Sequence, residues 1–67
     1  MFRNLEAEIK RAGMTAGELA EATGIPAGSL SMKMNGHRPF SLKQAMAIKQ
    51  ALGTELAIEE LFKITED

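Results

Sequence analysis

Gly13, Gly24, Gly36 and Gly53 cut this chain into segments too short for any long helix. Two of the segments open on capping-box sequences, Thr15-Ala16-Gly17-Glu18 and Ser41-Leu42-Lys43-Gln44. In each, a hydroxyl can accept from the backbone N–H three residues on, while a carboxylate or amide reaches back. Pro26 sits where a further helix starts, at or near the first helical position, where a missing N–H does no harm. Gly13, Gly24 and Gly53 are expected as left-handed C-caps, and Asn35-Gly36 as another stop. The punctuation therefore predicts five short helices over residues 2–12, 15–22, 26–34, 41–52 and 57–63. No β-branched alternation competes with them, so strands are not expected.

Apolar spacing assigns faces to these helices. Phe2, Leu5, Ile9 and Ala12 share one side of the first. Met14, just ahead of the Thr15 cap, is placed to staple onto Leu19. Leu42, Ala45, Met46 and Leu52 are the expected core of the fourth helix, and Leu56, Ile58, Leu61 and Phe62 that of the last. Thr65-Glu66-Asp67 should fray. Sixty-seven residues, 45% of them apolar, suit one compact all-α domain over 1–67. With no cysteine and one histidine, disulfides, thiolate metal sites and a metal centre are not expected. No apolar run reaches the roughly 20 residues of a membrane span. The expectation is a soluble, cytoplasmic chain with no cofactor and no small-molecule ligand.

The net charge of −1 conceals a strong segregation. Residues 1–22 carry three bases and four acids. Residues 23–53 carry Lys33, Arg38, Lys43 and Lys49, with His37, and no acid. Residues 54–67 carry one base and five acids. Thirty-one residues without a carboxylate point to a basic face for a polyanion, with acidic segments held away from it.

That basic stretch contains a mechanical pattern. Two short helices meet at Thr23-Gly24-Ile25. Glycine lets the turn take positive φ, Ala20 lets the helices approach closely, and Ile25 plugs the gap between them. This is the recipe of a helix-turn-helix, whose second helix enters the major groove. The motifs continue in order along the chain: Met14-Thr15, Glu18-Leu19-Ala20, Gly24-Ile25, Ser29-Leu30-Ser31, Asn35-Gly36, Pro39-Phe40-Ser41-Leu42, Ala45, Ile48, Ala51-Leu52-Gly53 and Glu59-Glu60-Leu61-Phe62. On these residues the chain resembles the Cro/CI-type helix-turn-helix regulators, the XRE family, over nearly its whole length. The 31–36 run with Pro39-Phe40 looks most like small regulators of phages and integrated elements in Gram-positive bacteria. The resemblance implies a compact five-helix repressor-like domain in which the second and third helices form the DNA-binding unit, at about 15–36. It also implies dimerisation through the C-terminal part in many members.

A helical wheel centred on Leu30 sends Pro26, Ala27, Lys33 and Met34 toward the core, and Gly28, Ser31, Met32 and Asn35 outward. Ala27 lies at the boundary, at the helix start. Ala27, Gly28, Ser31 and Met32 are therefore the expected base-reading positions. Ser31 can bond to several bases, and Ala27 and Met32 can pack on thymine methyl groups. The expected phosphate-facing set is Ala16, Ser29, Lys33, Asn35, His37, Arg38 and Lys43, with the backbone N–H groups that open the third helix. Relatives commonly carry Gln at the position of Ala16, where it contacts a phosphate and braces the recognition helix. An alanine side chain does neither.

The reading that follows is a sequence-specific transcriptional regulator of repressor type, of phage or prophage kind, binding double-stranded DNA as a homodimer on a pseudo-palindromic site. The alternative is a protein-interaction module that modulates a second regulatory protein, favoured by the spare base-reading chemistry and the acidic C-terminal segment. Enzyme function is not expected, because no nucleophile is paired with a base and no Gly-rich phosphate loop is present.

Overall fold

The computed structural model describes residues 2–64. It contains α1 (Arg3–Arg11), α2 (Ala16–Thr23), α3 (Ala27–Met34), α4 (Leu42–Leu52) and α5 (Ile58–Leu61). No strand occurs among the described residues. The five predicted helices are all present, most within one residue of their expected ends. The last is the exception. It shrinks to four residues, because Phe62 leaves the helix as its C-cap and turns its ring into an aromatic cluster. Thr65-Glu66-Asp67 lie outside the described residues.

Both capping boxes form. Glu18 N donates to Thr15 Oγ1 at 3.1 Å while Thr15 N donates to Glu18 Oε1 at 2.9 Å. Gln44 N donates to Ser41 Oγ and Ser41 N to Gln44 Oε1, each at 3.1 Å. The first helix instead matches its macrodipole, with Glu6 in its first turn and Lys10 and Arg11 in its last.

Each helix contributes one fully buried large side chain to a common core: Leu5, Leu19, Leu30, Ile48 and Leu61. Burying each is worth roughly 1.5–3 kcal/mol. Around them close Phe2, Ile9, Ala20, Ile25 and Leu52. Helix α2 packs on α3 and α4, and α5 packs on α1 and α4. Met14 is half-buried against the same core as Leu19, as the staple requires.

Three aromatic rings lock the far side. Phe40 lies 4.9 Å from Phe62 and 5.5 Å from Phe2 between centroids, and Phe2 lies 6.2 Å from Phe62, all edge-on. Such pairs favour edge-to-face geometry. The cluster ties the start of α1 and the end of α5 to the loop between α3 and α4. Asn4 Nδ2 adds a bond to the Glu60 carbonyl at 2.7 Å.

Two expected core residues are not in the core. Leu42 is 69% exposed and Met46 56%. The buried stripe of α4 is Ala45, Ile48 and Leu52. On a wheel centred on Ile48, Leu42 and Met46 fall about 120° and 160° away. Apolar residues at 42, 45 and 46 offer a second stripe, and packing against α2 and α5 decides between the two.

Candidate nucleic-acid interface

The α2–turn–α3 unit is built by the residues expected to build it. Thr23, the last residue of α2, turns its hydroxyl back to the carbonyls of Leu19 at 2.8 Å and Ala20 at 3.3 Å. Gly24 then takes φ 73° and ψ 11°, a left-handed conformation that a side chain would strain. Ile25 drops into the core, and Pro26 at φ −54° and ψ 138° becomes the N-cap of α3. Ala20 is buried, which lets α2 and α3 approach.

Helix α3 hangs on one buried residue, Leu30. Ser29, Lys33 and Met34 are half-buried beside it, while Ala27, Gly28, Ser31, Met32 and Asn35 are exposed. The wheel is therefore right about the outward face and about Lys33 and Met34. It is wrong about Pro26, which is exposed, and Ala27, placed at the boundary, falls on the exposed side. Ile25, one residue before the N-cap, fills the space that the wheel gave Pro26. All four expected base-reading positions thus lie in or beside one solvent-facing surface.

The two ends of α3 differ from those of its neighbours. Where α2 and α4 close their N-termini with capping boxes, α3 has no side-chain cap. Its first intrahelical bond is Leu30 N to the Pro26 carbonyl at 2.9 Å. The N–H groups of Ala27, Gly28 and Ser29 precede that bond and point out of the helix end. At the other end a Schellman motif forms. His37 N donates to the Met32 carbonyl at 2.9 Å, Gly36 N to that of Lys33 at 3.1 Å, and Gly36 takes φ 82°. Asn35 is the C-cap, held through its backbone N–H by the Ser31 carbonyl. Its exposed side chain makes no hydrogen bond to any described residue.

The Schellman turn delivers His37 and Arg38 into the loop directly after α3, and Phe40 anchors that loop through the ring cluster. Lys43 follows in the first turn of α4, exposed. Lys33, His37, Arg38 and Lys43 have no ion-pair partner among the described residues. Arg11 by contrast is paired with Glu8 at 2.9 Å.

Lys49 does not belong to this set. Its Nζ donates to the carbonyls of Thr54 at 3.0 Å and Leu56 at 2.7 Å. The fourth base of the acid-free stretch is a strut for the α4–α5 connection. Thr54 is buried and organises the same turn, accepting from Leu56 N at 3.1 Å. Its hydroxyl, and then the Arg11 guanidinium, hold the Glu8 carboxyl below its usual value of 4.5.

Ala16 is exposed in the first turn of α2, on a shallow groove of about 410 Å³. Glu6, Ile9, Lys10, Met14 and Met34 complete its lining. This places Lys10, on α1, beside a position expected at a phosphate. Charge counting by segment missed it, because residues 1–22 are net acidic and only the fold sets α1 alongside α2. No helix among the described residues is long and apolar enough to cross a membrane.

The sequence model of the helix-turn-helix family matches residues 5–58, from the third residue of α1 through α2, α3 and α4 to the first residue of α5. Neither the curated proteins nor the solved structures give a match to this chain.

Proposed function

The chain belongs to the Cro/CI-type helix-turn-helix family of DNA-binding transcription regulators, and on that premise we propose that it is a repressor-type regulator that places α3 in the major groove of its operator. The observation that carries this reading is the arrangement around α3. An outward face of Ala27, Gly28, Ser31 and Met32 is flanked by Lys33, His37, Arg38 and Lys43, none of them paired within the described residues.

The division of labour follows from the chemistry. The open N-terminus of α3, with the backbone of Ser29, meets a phosphate through N–H groups and the positive end of the helix. Asn35 donates its side-chain amide to another. Arg38, His37 and Lys43 lie on the loop and helix start that follow, where the backbone of the duplex runs on. Half-buried Lys33 lays its stem on the core and extends its ammonium. Ala16 contributes position and backbone only, and Lys10 beside it supplies the nearby charge. Such contacts fix register on the duplex, and base contacts supply sequence preference.

A homodimer goes with this reading. The molecule measures 29 Å at its longest, less than the ~34 Å between successive major-groove faces on one side of B-DNA. One copy therefore reads one half-site. Around the last helix Leu61 is buried and Leu56, Ile58 and Phe62 are half-buried, which leaves little apolar surface there. We assign self-association to the outer face of α4, where Leu42 and Met46 stand one turn apart and exposed, with exposed Ile64 beside Leu42. We take residues 1–67 as one domain, supported by a core that draws on every helix. A phage or prophage setting rests on the resemblance of the 31–36 run and Pro39-Phe40.

Fluorescence anisotropy with duplex DNA from around the gene, against a scrambled duplex and at two salt concentrations, tests the proposal. Binding that falls steeply with salt and keeps a preference for the native duplex is the expected result. Salt-insensitive or absent binding rejects it and favours the alternative, a module acting on a second regulatory protein.

A further inference from the structure

The outward face of α3 is unusual in what it lacks. Ala27, Gly28, Ser31 and Met32 include no Arg, Lys, Asn or Gln. The bidentate pairings that distinguish guanine and adenine in the major groove need those side chains. Ser31 offers one hydroxyl that donates or accepts, so it discriminates little. The most substantial group on the face is the Met32 thioether, 42% exposed. Its carbonyl is held by His37 N in the Schellman turn, so the backbone from which it projects is fixed.

Gly28 adds a second, independent observation. A Cβ built there meets nothing within 4 Å, and its φ is not left-handed. Neither packing nor backbone conformation within the protein calls for glycine. Glycine in a helix is unfavourable relative to alanine. What its missing side chain does is leave the first turn of α3 bare, so that another surface can come close to the backbone.

An apolar, close-approaching face has one apolar feature to meet in the major groove, the C5-methyl group of thymine. Resting on the DNA-binding reading above, we propose that this chain selects its operator through thymine methyl groups, with Met32 and Ala27 as the specificity-determining contacts and Gly28 setting the approach. The half-site is accordingly rich in A·T pairs whose thymine methyls line up along α3. Sequence preference comes from burial of methyl against thioether and methyl, in place of a donor–acceptor code.

The test starts from duplexes enriched from a random pool by the full chain, resynthesised with deoxyuridine in place of thymidine. Uracil keeps every hydrogen-bonding group and loses only the methyl. Affinity should fall about fourfold for each contacted methyl removed, at one or two positions per half-site. Met32→Ala, at an exposed site that leaves the fold intact, should weaken binding to the thymine duplex and remove the sensitivity at one of those positions. Gly28→Ala should leave the unfolding midpoint equal or higher, yet weaken binding to the enriched duplex. Equal affinity for thymine and uracil duplexes overturns the proposal. So does a Met32→Ala loss of the same size on both, and so does a pool that yields no preferred sequence while salt-dependent binding persists. Absence of any DNA binding removes the function proposed above, and this proposal with it.

Discussion

Lys49 Nζ donates to the Leu56 carbonyl at 2.7 Å. A second bond, to the Thr54 carbonyl at 3.0 Å, completes the strut. Charge-assisted bonds of this kind contribute about 1.5–3 kcal/mol each when well shielded, and Lys49 is half-buried. Lys49→Met keeps the stem and removes the ammonium. It should lower stability by about 1–2 kcal/mol, read as a shift in the urea unfolding midpoint. The salt dependence of DNA binding should not change. A shallower salt slope would mean that Lys49 touches phosphate after all.

Arg38 and Lys43 should behave in the opposite way. Both are exposed and neither is paired among the described residues. Removing a cation that neutralises one phosphate reduces the slope of log K against log salt by about 1. Arg38→Ala and Lys43→Ala should each do this, with affinity falling on all duplexes alike. Stability should stay within about 0.5 kcal/mol of the parent, as for surface substitutions generally. Lys10→Ala tests whether the groove beside Ala16 lies against the backbone of the duplex. An unchanged slope there would confine the phosphate contacts to α3, its loop and α4.

These two cases show how far the residues could be read in order. Local chemistry was legible. Thr15 with Glu18, Ser41 with Gln44, and the stops at Gly13, Gly24, Asn35-Gly36 and Gly53 each act through neighbours within five residues. Choices that depend on what packs opposite were not. The α4 sequence offers two apolar stripes, and contact with α2 and α5 selects Ala45, Ile48 and Leu52 over Leu42 and Met46. Segment charge could not show that Lys49 bends back to the α4–α5 turn, nor that Lys10 comes to lie by Ala16. The outward face of α3 was readable because its eight residues hang on the single anchor Leu30. Pro26 was misassigned because a wheel knows nothing of Ile25, which precedes the helix and is buried.

Glu8 gives the fold an acid limit. Its carboxyl is held below its usual value of 4.5, by the Thr54 hydroxyl first and Arg11 second. A carboxyl depressed in the folded state stabilises fully above its unfolded pKa. That stabilisation is lost as pH falls through the folded value. The parent should therefore lose stability below pH 4.5 more steeply than Glu8→Gln, which has no charge to neutralise. At pH 7 the variant should already be the less stable of the two. Urea midpoints at pH 7 and at acid pH check this, and parallel losses in both proteins would assign the acid sensitivity to other carboxylates.

The proposed homodimer is assigned to the outer face of α4. Leu42 and Met46 are exposed at positions where the fold does not need them, and Leu42 precedes Lys43, which is assigned to phosphate. A second copy meeting the first across this face would bury apolar surface at about 25 cal/mol per Å². Met46→Glu and Leu42→Glu should leave the unfolding midpoint within about 0.5 kcal/mol of the parent, because neither side chain packs in the core. Sedimentation equilibrium should show the parent associating and both variants monomeric. Affinity for a duplex with two half-sites should fall at least tenfold in both, while that for a single half-site stays unchanged in Met46→Glu. A variant that still binds the two-site duplex as tightly as the parent would place the contact between copies elsewhere, with the half-buried Ile58 and Phe62 as the next positions to change.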